Sequence, residues 1–156
     1  MTSILRGMSM ASEIDIRPVF GSLPQAIHSL AIEARSEGFR FLDRLIDEWS
    51  DGRNRFDRSG ECLLTAYAGD KLAGVGGVTF EPGIAGALRM RRFYIHPSMR
   101  RRGIGRMLAS SLIDRARPAT SLLTVYAATE DAPAFWEALG FQQACSDGYS
   151  HILRLD

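Results

Sequence analysis

Apolar positions along this chain switch between two periods, and the switches mark out its elements. Leu23, Ile27, Leu30, Ala31 and Ala34 recur at helical spacing and predict a helix over residues 23–37, broken by Gly38. Phe39, Leu42, Leu45, Ile46 and Trp49 form a second helical stripe, followed by the polar loop SDGRNRFDRSGE. Residues 62–68 and 71–80 read as two strands about Gly69-Asp70, a hairpin signal. Further strands are predicted at residues 14–17, ended by Pro18, and at 88–95 and 122–127. Helices are predicted at 103–115 and at 131–139, the second stopped by Gly140. A last hairpin, residues 141–145 and 149–155, turns at Asp147-Gly148. The order β-α-α-β-β-β-α-β-α-β-β is that of a mixed α/β domain.

Composition narrows the class. With 156 residues, 46% of them hydrophobic, the chain can bury one core, and residues 13–156 are assigned to a single domain. Residues 1–12 are expected to be a disordered end, and Met8 and Met10 leave the start open. A net charge of +1 argues against a dedicated nucleic-acid binder. Two cysteines, Cys62 and Cys145, make no disulfide framework, and no Cys/His cluster suggests a metal. No apolar run suits a signal peptide or a membrane span, so a soluble, cytoplasmic protein without a membrane partner is expected.

The candidate chemistry lies in HPSMRRRGIGRML, residues 96–108, between a predicted strand and a predicted helix. Pro97 ends the strand, and the glycines permit a turn and close backbone approach. A helix start carries unpartnered N–H groups and a positive dipole end, which suit a phosphate. Arginines beside it add charge-assisted hydrogen bonds. There is no GxxxxGK[ST] and no GxGxxG, so the common nucleotide loops are excluded. What stands here is R-x-x-G-x-G, at Arg100, Gly103 and Gly105.

That motif resembles the diphosphate loop of the GNAT N-acetyltransferases. FYIHPSMRRRGIGRMLASSLIDRA looks like the family's strand–loop–helix unit, and LLTVYAATEDAPAFWEALGF looks like its second signature, ending at Gly140-Phe141. The resemblance implies a single-domain GNAT-like fold: a central, mixed, mostly antiparallel sheet with a parallel splayed pair, flanked by helices. It implies acetyl-CoA as co-substrate, an amine as acceptor, direct transfer in a ternary complex, and no metal. By resemblance, the backbone of Phe93, Tyr94 and Ile95 would pair with the pantetheine arm. Arg100, Arg101, Arg102, Gly103, Ile104, Gly105 and Arg106 would hold the diphosphate. A homodimer through the terminal strands would suit the family.

Two positions depart from the family pattern. Thr129 stands where an asparagine is common, and Trp136 where a tyrosine often serves as general acid. Tryptophan carries an N–H but cannot deliver a proton as a phenol does; Trp136 is left as a lining residue of the coenzyme arm. No carboxylate occupies the strand LRMRRFYI, and Thr124 stands where some members carry a glutamate. Tyr126, two residues on, is the first candidate for proton work, with Glu81 second and Glu48 weaker. A non-catalytic acyl-CoA sensor and a salt-sensitive nucleic-acid binder are the alternatives from other classes.

Smaller expectations complete the reading. Arg89 and Arg91 should share one face and Arg92 the other; Ile104, Met107 and Leu108 should face the core. His28, His96 and His151 show no pairing and read as structural, and Cys145 reads as a buried strand cysteine.

Overall fold

The glycine-rich apolar run LAGVGGVT lies in β3 (Lys71–Phe80), buried on both faces along its interior. A strand buried on both sides needs a layer of helices on each, and the computed structural model, which describes residues 13–155, supplies them. The elements run β1 (Ile14–Pro18), α1 (Ala26–Ser36), α2 (Phe41–Asp51), β2 (Cys62–Ala68), β3, β4 (Leu88–Ile95), a 3-10 turn at Pro97–Met99, α3 (Ile104–Ala116), β5 (Leu122–Val125), α4 (Ala132–Ala138), β6 (Gln142–Gln143) and β7 (His151–Arg154). The seven strands form one sheet in the order β1-β2-β3-β4-β5-β7-β6. All neighbours are antiparallel except β4 and β5. A parallel pair needs a crossover, and α3 is that crossover. The single mixed-sheet α/β domain expected from the pattern is therefore the fold observed.

Each face of the sheet has its own core. Ile27, Leu30, Ala31 and Ala34 of α1, with Leu42, Leu45 and Trp49 of α2, pack on Leu63, Leu72, Val75 and Tyr94. On the other face Ile104, Leu108, Leu112 and Ile113 of α3, with Trp136 and Phe141, cover Leu64, Val78, Met90, Leu123 and Val125. Helical spacing in the sequence thus translates directly into buried stripes. Met107 is the exception: it is 41% exposed, not in the core, because it lies off the stripe that Ile104 and Leu108 define.

The last hairpin is shorter than the pattern suggests. Only Gln142 and Gln143 form β6, and β7 begins at His151. β5 stops at Val125, not at residue 127. Beyond that point the strand has left its parallel neighbour, and its backbone turns to Ser150, whose Oγ accepts from the Ala127 N–H at 2.8 Å. The expectation of a disordered end at residues 1–12 falls outside the described residues.

Candidate active site

β4 and β5 pair only through Leu88 with Leu123 and Arg89 with Thr124. β4 then continues to Ile95 with no further partner on that side, so the two strands form a V open toward the loop at residues 96–103. At its vertex Glu81 is 5% exposed. Its Oε1 accepts from the Thr124 hydroxyl at 2.8 Å and lies 3.8 Å from Arg89 Nη1, while Oε2 accepts from the Gly83 N–H at 2.6 Å. Tyr126, past the end of β5, is 55% exposed.

The loop at the mouth is built in steps. His96 ends β4 and accepts at Nδ1 from the Ser98 N–H, 3.1 Å away, which starts the 3-10 turn. Arg100 then folds back: Nε donates to the Ile95 carbonyl at 3.0 Å, and its two terminal nitrogens donate to Glu37 at 2.9 and 2.7 Å. Tyr94, buried beneath, donates its hydroxyl to the same carboxylate. Arg101 and Gly103 both have left-handed backbone, at φ 65 and 80°, and α3 begins at Ile104. No side chain caps that helix, and its first turn holds no acidic residue. Arg101, Arg102, Gly103 and Arg106 are exposed around it, while Ile104 is buried. Gly105 has a packing reason: a Cβ there would lie 3.3 Å from Phe135 and 3.4 Å from Ile95.

Aromatic side chains fill the α3 side of the V. Trp136 is 4% exposed, with ring centroids 5.0 Å from Phe93, 4.9 Å from Phe135 and 5.3 Å from Phe141. Its indole is part of the core. Thr129 is exposed, and its carbonyl receives the Ala132 N–H at the start of α4.

The opposite face of β4 carries arginines. Alternation alone would separate Arg91 from Arg92, but the ladder slips: Gly77 pairs with Arg91, and Val75 with Tyr94. Two residues of β3 thus span what takes three on β4, which is a β-bulge. Arg92 is the extra residue, at φ 56°. It points to the same side as Arg91, and its Nη2 donates to Glu48 of α2 at 3.1 Å. The expectation that Arg92 faces away from Arg89 and Arg91 is corrected by this bulge. A signal for it was in the sequence: Gly76 and Gly77 sit opposite, where added Cβ atoms would lie 2.7 Å from Phe93 and 2.4 Å from Phe56.

Residues 25–141, well over half of the chain, match the family model described as Acetyltransferase (GNAT) family. The chain belongs to the GNAT acetyltransferase family. No curated protein matches it. Among solved structures, a protein assigned as an acetyltransferase from Exiguobacterium sp. 255-15 superposes with a TM-score of 0.82 at 25% identity, covering 91% of this chain and 93% of that one. At fold level the GNAT chain is also similar to a protein assigned as an acetyltransferase from Salmonella typhimurium, solved with its cofactor acetyl-CoA (TM-score 0.66, 18% identity, 92% and 94% covered). A third similar structure is the ribosomal-protein-S18-alanine N-acetyltransferase of Escherichia coli (TM-score 0.65, 17% identity, 92% and 94% covered).

Several expectations change within this GNAT frame. Two of the three histidines read as unpaired are paired: His151 is 2% exposed, with Nε2 2.8 Å from Glu137 and Nδ1 2.8 Å from Ser150, and His96 Nε2 lies 3.7 Å from Glu33. Those partners lie on other elements or in irregular backbone, where local spacing gives no cue. Cys145 is exposed, not buried. It lines a cavity of about 470 Å³ with Ala127, Pro133, Ser150 and His151, because β6 ends before it. Among the described residues no group of His, Cys, Asp and Glu is arranged to hold a metal ion, and no helix is long and apolar enough to cross a membrane.

Proposed function

We propose that this chain is an N-acetyltransferase that takes acetyl-CoA at the α3 end of the V and moves the acetyl group directly to an amine. The observation that carries this reading is the start of α3. It is uncapped, free of acidic side chains, and ringed by the exposed Arg101, Arg102 and Arg106. A helix start of that kind fits a diphosphate: several main-chain N–H groups lack intrahelical acceptors, and its dipole end is positive. When bound, acetyl-CoA supplies an acetyl thioester that an amine can attack with release of the thiol.

The residues then divide the work. Arg101, Arg102 and Arg106 with the backbone of residues 103–106 bind the phosphates. Phe93, Tyr94 and Ile95 offer the edge of β4 that β5 leaves open; one of its carbonyls, Ile95 O, is already held by Arg100. Arg100 therefore acts as a positioning residue that ties the loop to Glu37. Glu81 holds the vertex, since Thr124 and Gly83 occupy its oxygens. Tyr126 is the exposed phenol beside the open end, and it is assigned the proton transfer. Thr129 and Trp136 lie at the start and in the body of the next helical segment, where they shape the wall of the arm's path. Binding both reactants in one V supplies much of the rate through proximity.

Isothermal calorimetry with acetyl-CoA and CoA, followed by thiol release over a panel of amines, tests the proposal. Binding with amine-dependent release supports it. Binding with no release from any amine would favour a sensor; no binding would remove the reading.

A further inference from the structure

The face of β4 opposite α3 carries more cation than it can pair. Arg89 lies 3.8 Å from Glu81, and Arg92 lies 3.1 Å from Glu48. Arg91 has neither an ion pair nor a hydrogen bond to any described residue, although it is only partly exposed. Arg92 keeps a second deficit: its side chain is 8% exposed, and Nε is buried with no partner. A buried guanidinium N–H without an acceptor forfeits its hydration with nothing in return, so such groups are nearly always satisfied. The backbone that places it there is itself strained, with non-glycine φ 56° at the bulge. Burial first, and the adjacent Arg92 and Arg89 after it, hold the Arg91 guanidinium below its usual range, against a smaller opposing pull from Glu48 and Glu81.

We infer that Arg91 and Arg92 form an anion subsite on the face of β4 opposite α3, that the acceptor enters from this face, and that the preferred acceptor is an amine carrying a carboxylate or similar anion. This deepens the acetyltransferase reading and rests on it. The fit is chemical. A carboxylate offers acceptors to the unpaired Arg91 guanidinium beside Arg92, and guanidinium forks suit planar oxyanions. Three guanidiniums face two carboxylates here, so one added negative charge balances the face. The coenzyme's phosphates have their own cradle at the start of α3, at the far end of the 3-10 turn.

The test uses matched amines that differ only in charge. Thiol release from acetyl-CoA is measured with the ω-amino acids from glycine to 6-aminohexanoate and with their primary amides. At the best chain length the carboxylate is expected to exceed its amide at least tenfold in kcat/KM, and Arg91→Gln is expected to cut that advantage below threefold. The advantage should also shrink as salt rises. Glutarate, which has no amine, is titrated by calorimetry with and without CoA. Saturable glutarate binding that Arg91→Gln abolishes supports the subsite even if no amine on the panel turns over. Equal use of amides and carboxylates, no glutarate binding, or glutarate competition against acetyl-CoA overturns it. Acetyl-CoA binding is read separately, so a failed subsite and a failed acetyltransferase reading give different results.

Discussion

Arg100 and Glu37, 63 residues apart in the chain, are joined by two parallel charge-assisted hydrogen bonds of 2.9 and 2.7 Å. The pair fastens the end of α1 to the loop that opens onto α3. Its side chains are 41% and 28% exposed, so water screens part of the attraction. Removing Glu37 also strands the Tyr94 hydroxyl, and burial and that same carboxylate already hold the Tyr94 phenol well above its usual range. Glu37→Ala is expected to cost about 1–2 kcal/mol, seen as a Tm drop of about 3–6 °C. An unchanged Tm would show that the clamp does not hold the loop.

The same pair sets a pH dependence. Arg100 first, and Tyr94 after it, hold the Glu37 carboxyl below its ordinary value. A lowered folded value means that the stabilisation is present above about pH 4.3 and is lost as pH falls through the folded value. Wild type should therefore lose stability more steeply than Glu37→Gln between about pH 5 and 3, measured by urea midpoints across that range. Parallel curves would remove Glu37 from the acid transition.

Arg102→Glu and Arg106→Glu should each weaken acetyl-CoA binding at least tenfold, with Tm near that of wild type, because both side chains are exposed beside the first turn of α3. The loss should be larger at low salt. Charge reversal is the cleaner probe here than a glycine substitution. A side chain at Gly103 is strained at φ 80°, and one at Gly105 presses on Phe135 and Ile95.

Tyr126→Phe is expected to lower kcat about a hundredfold while leaving acetyl-CoA affinity in place, since the phenol is assigned a proton and not a contact to the cradle. Glu81→Gln is expected to act through structure. Its amide can keep the Gly83 N–H on its oxygen and donate to the Thr124 hydroxyl, which also accepts, so the loss is the negative charge 3.8 Å from Arg89, costing about 1–2 kcal/mol. Equal kcat for Tyr126→Phe and wild type would return the proton step to solvent water.

The two thiols should label at different rates. Cys145 is exposed, whereas burial raises the Cys62 thiol above its usual value and so lowers its thiolate fraction. Reaction with a disulfide reagent at pH 8 is expected to give one fast and one slow equivalent, the fast one lost in Cys145→Ser. Two equal rates would contradict the exposed position of Cys145.

Much of this site could be read from spacing, and the rest could not for identifiable reasons. The strand–loop–helix unit at residues 88–116 was legible because Pro97, the glycines and the apolar stripe of α3 are all local signals. The facing of Arg92 was not, because period-two reasoning assumes an unbroken ladder and the bulge inserts one residue. Gly76 and Gly77 were the available hint, and they mattered through Phe93 and Phe56, which are distant in sequence. The partners of Arg100, His151 and Glu81 lie on other elements, so no spacing rule reaches them. Tertiary pairing also set the ends of β5 and β6, where the hydrophobic run continues but the ladder does not.

Everything above rests on the start of α3 holding the coenzyme while the V beside it performs the transfer. Calorimetric titration of the full chain with acetyl-CoA, in wild type and in Arg102→Glu, tests it most directly. Wild type is expected to bind saturably and one-to-one, and the variant, still folded, at least tenfold more weakly. Absence of binding by the folded wild-type protein, or equal affinity in the two, would contradict it.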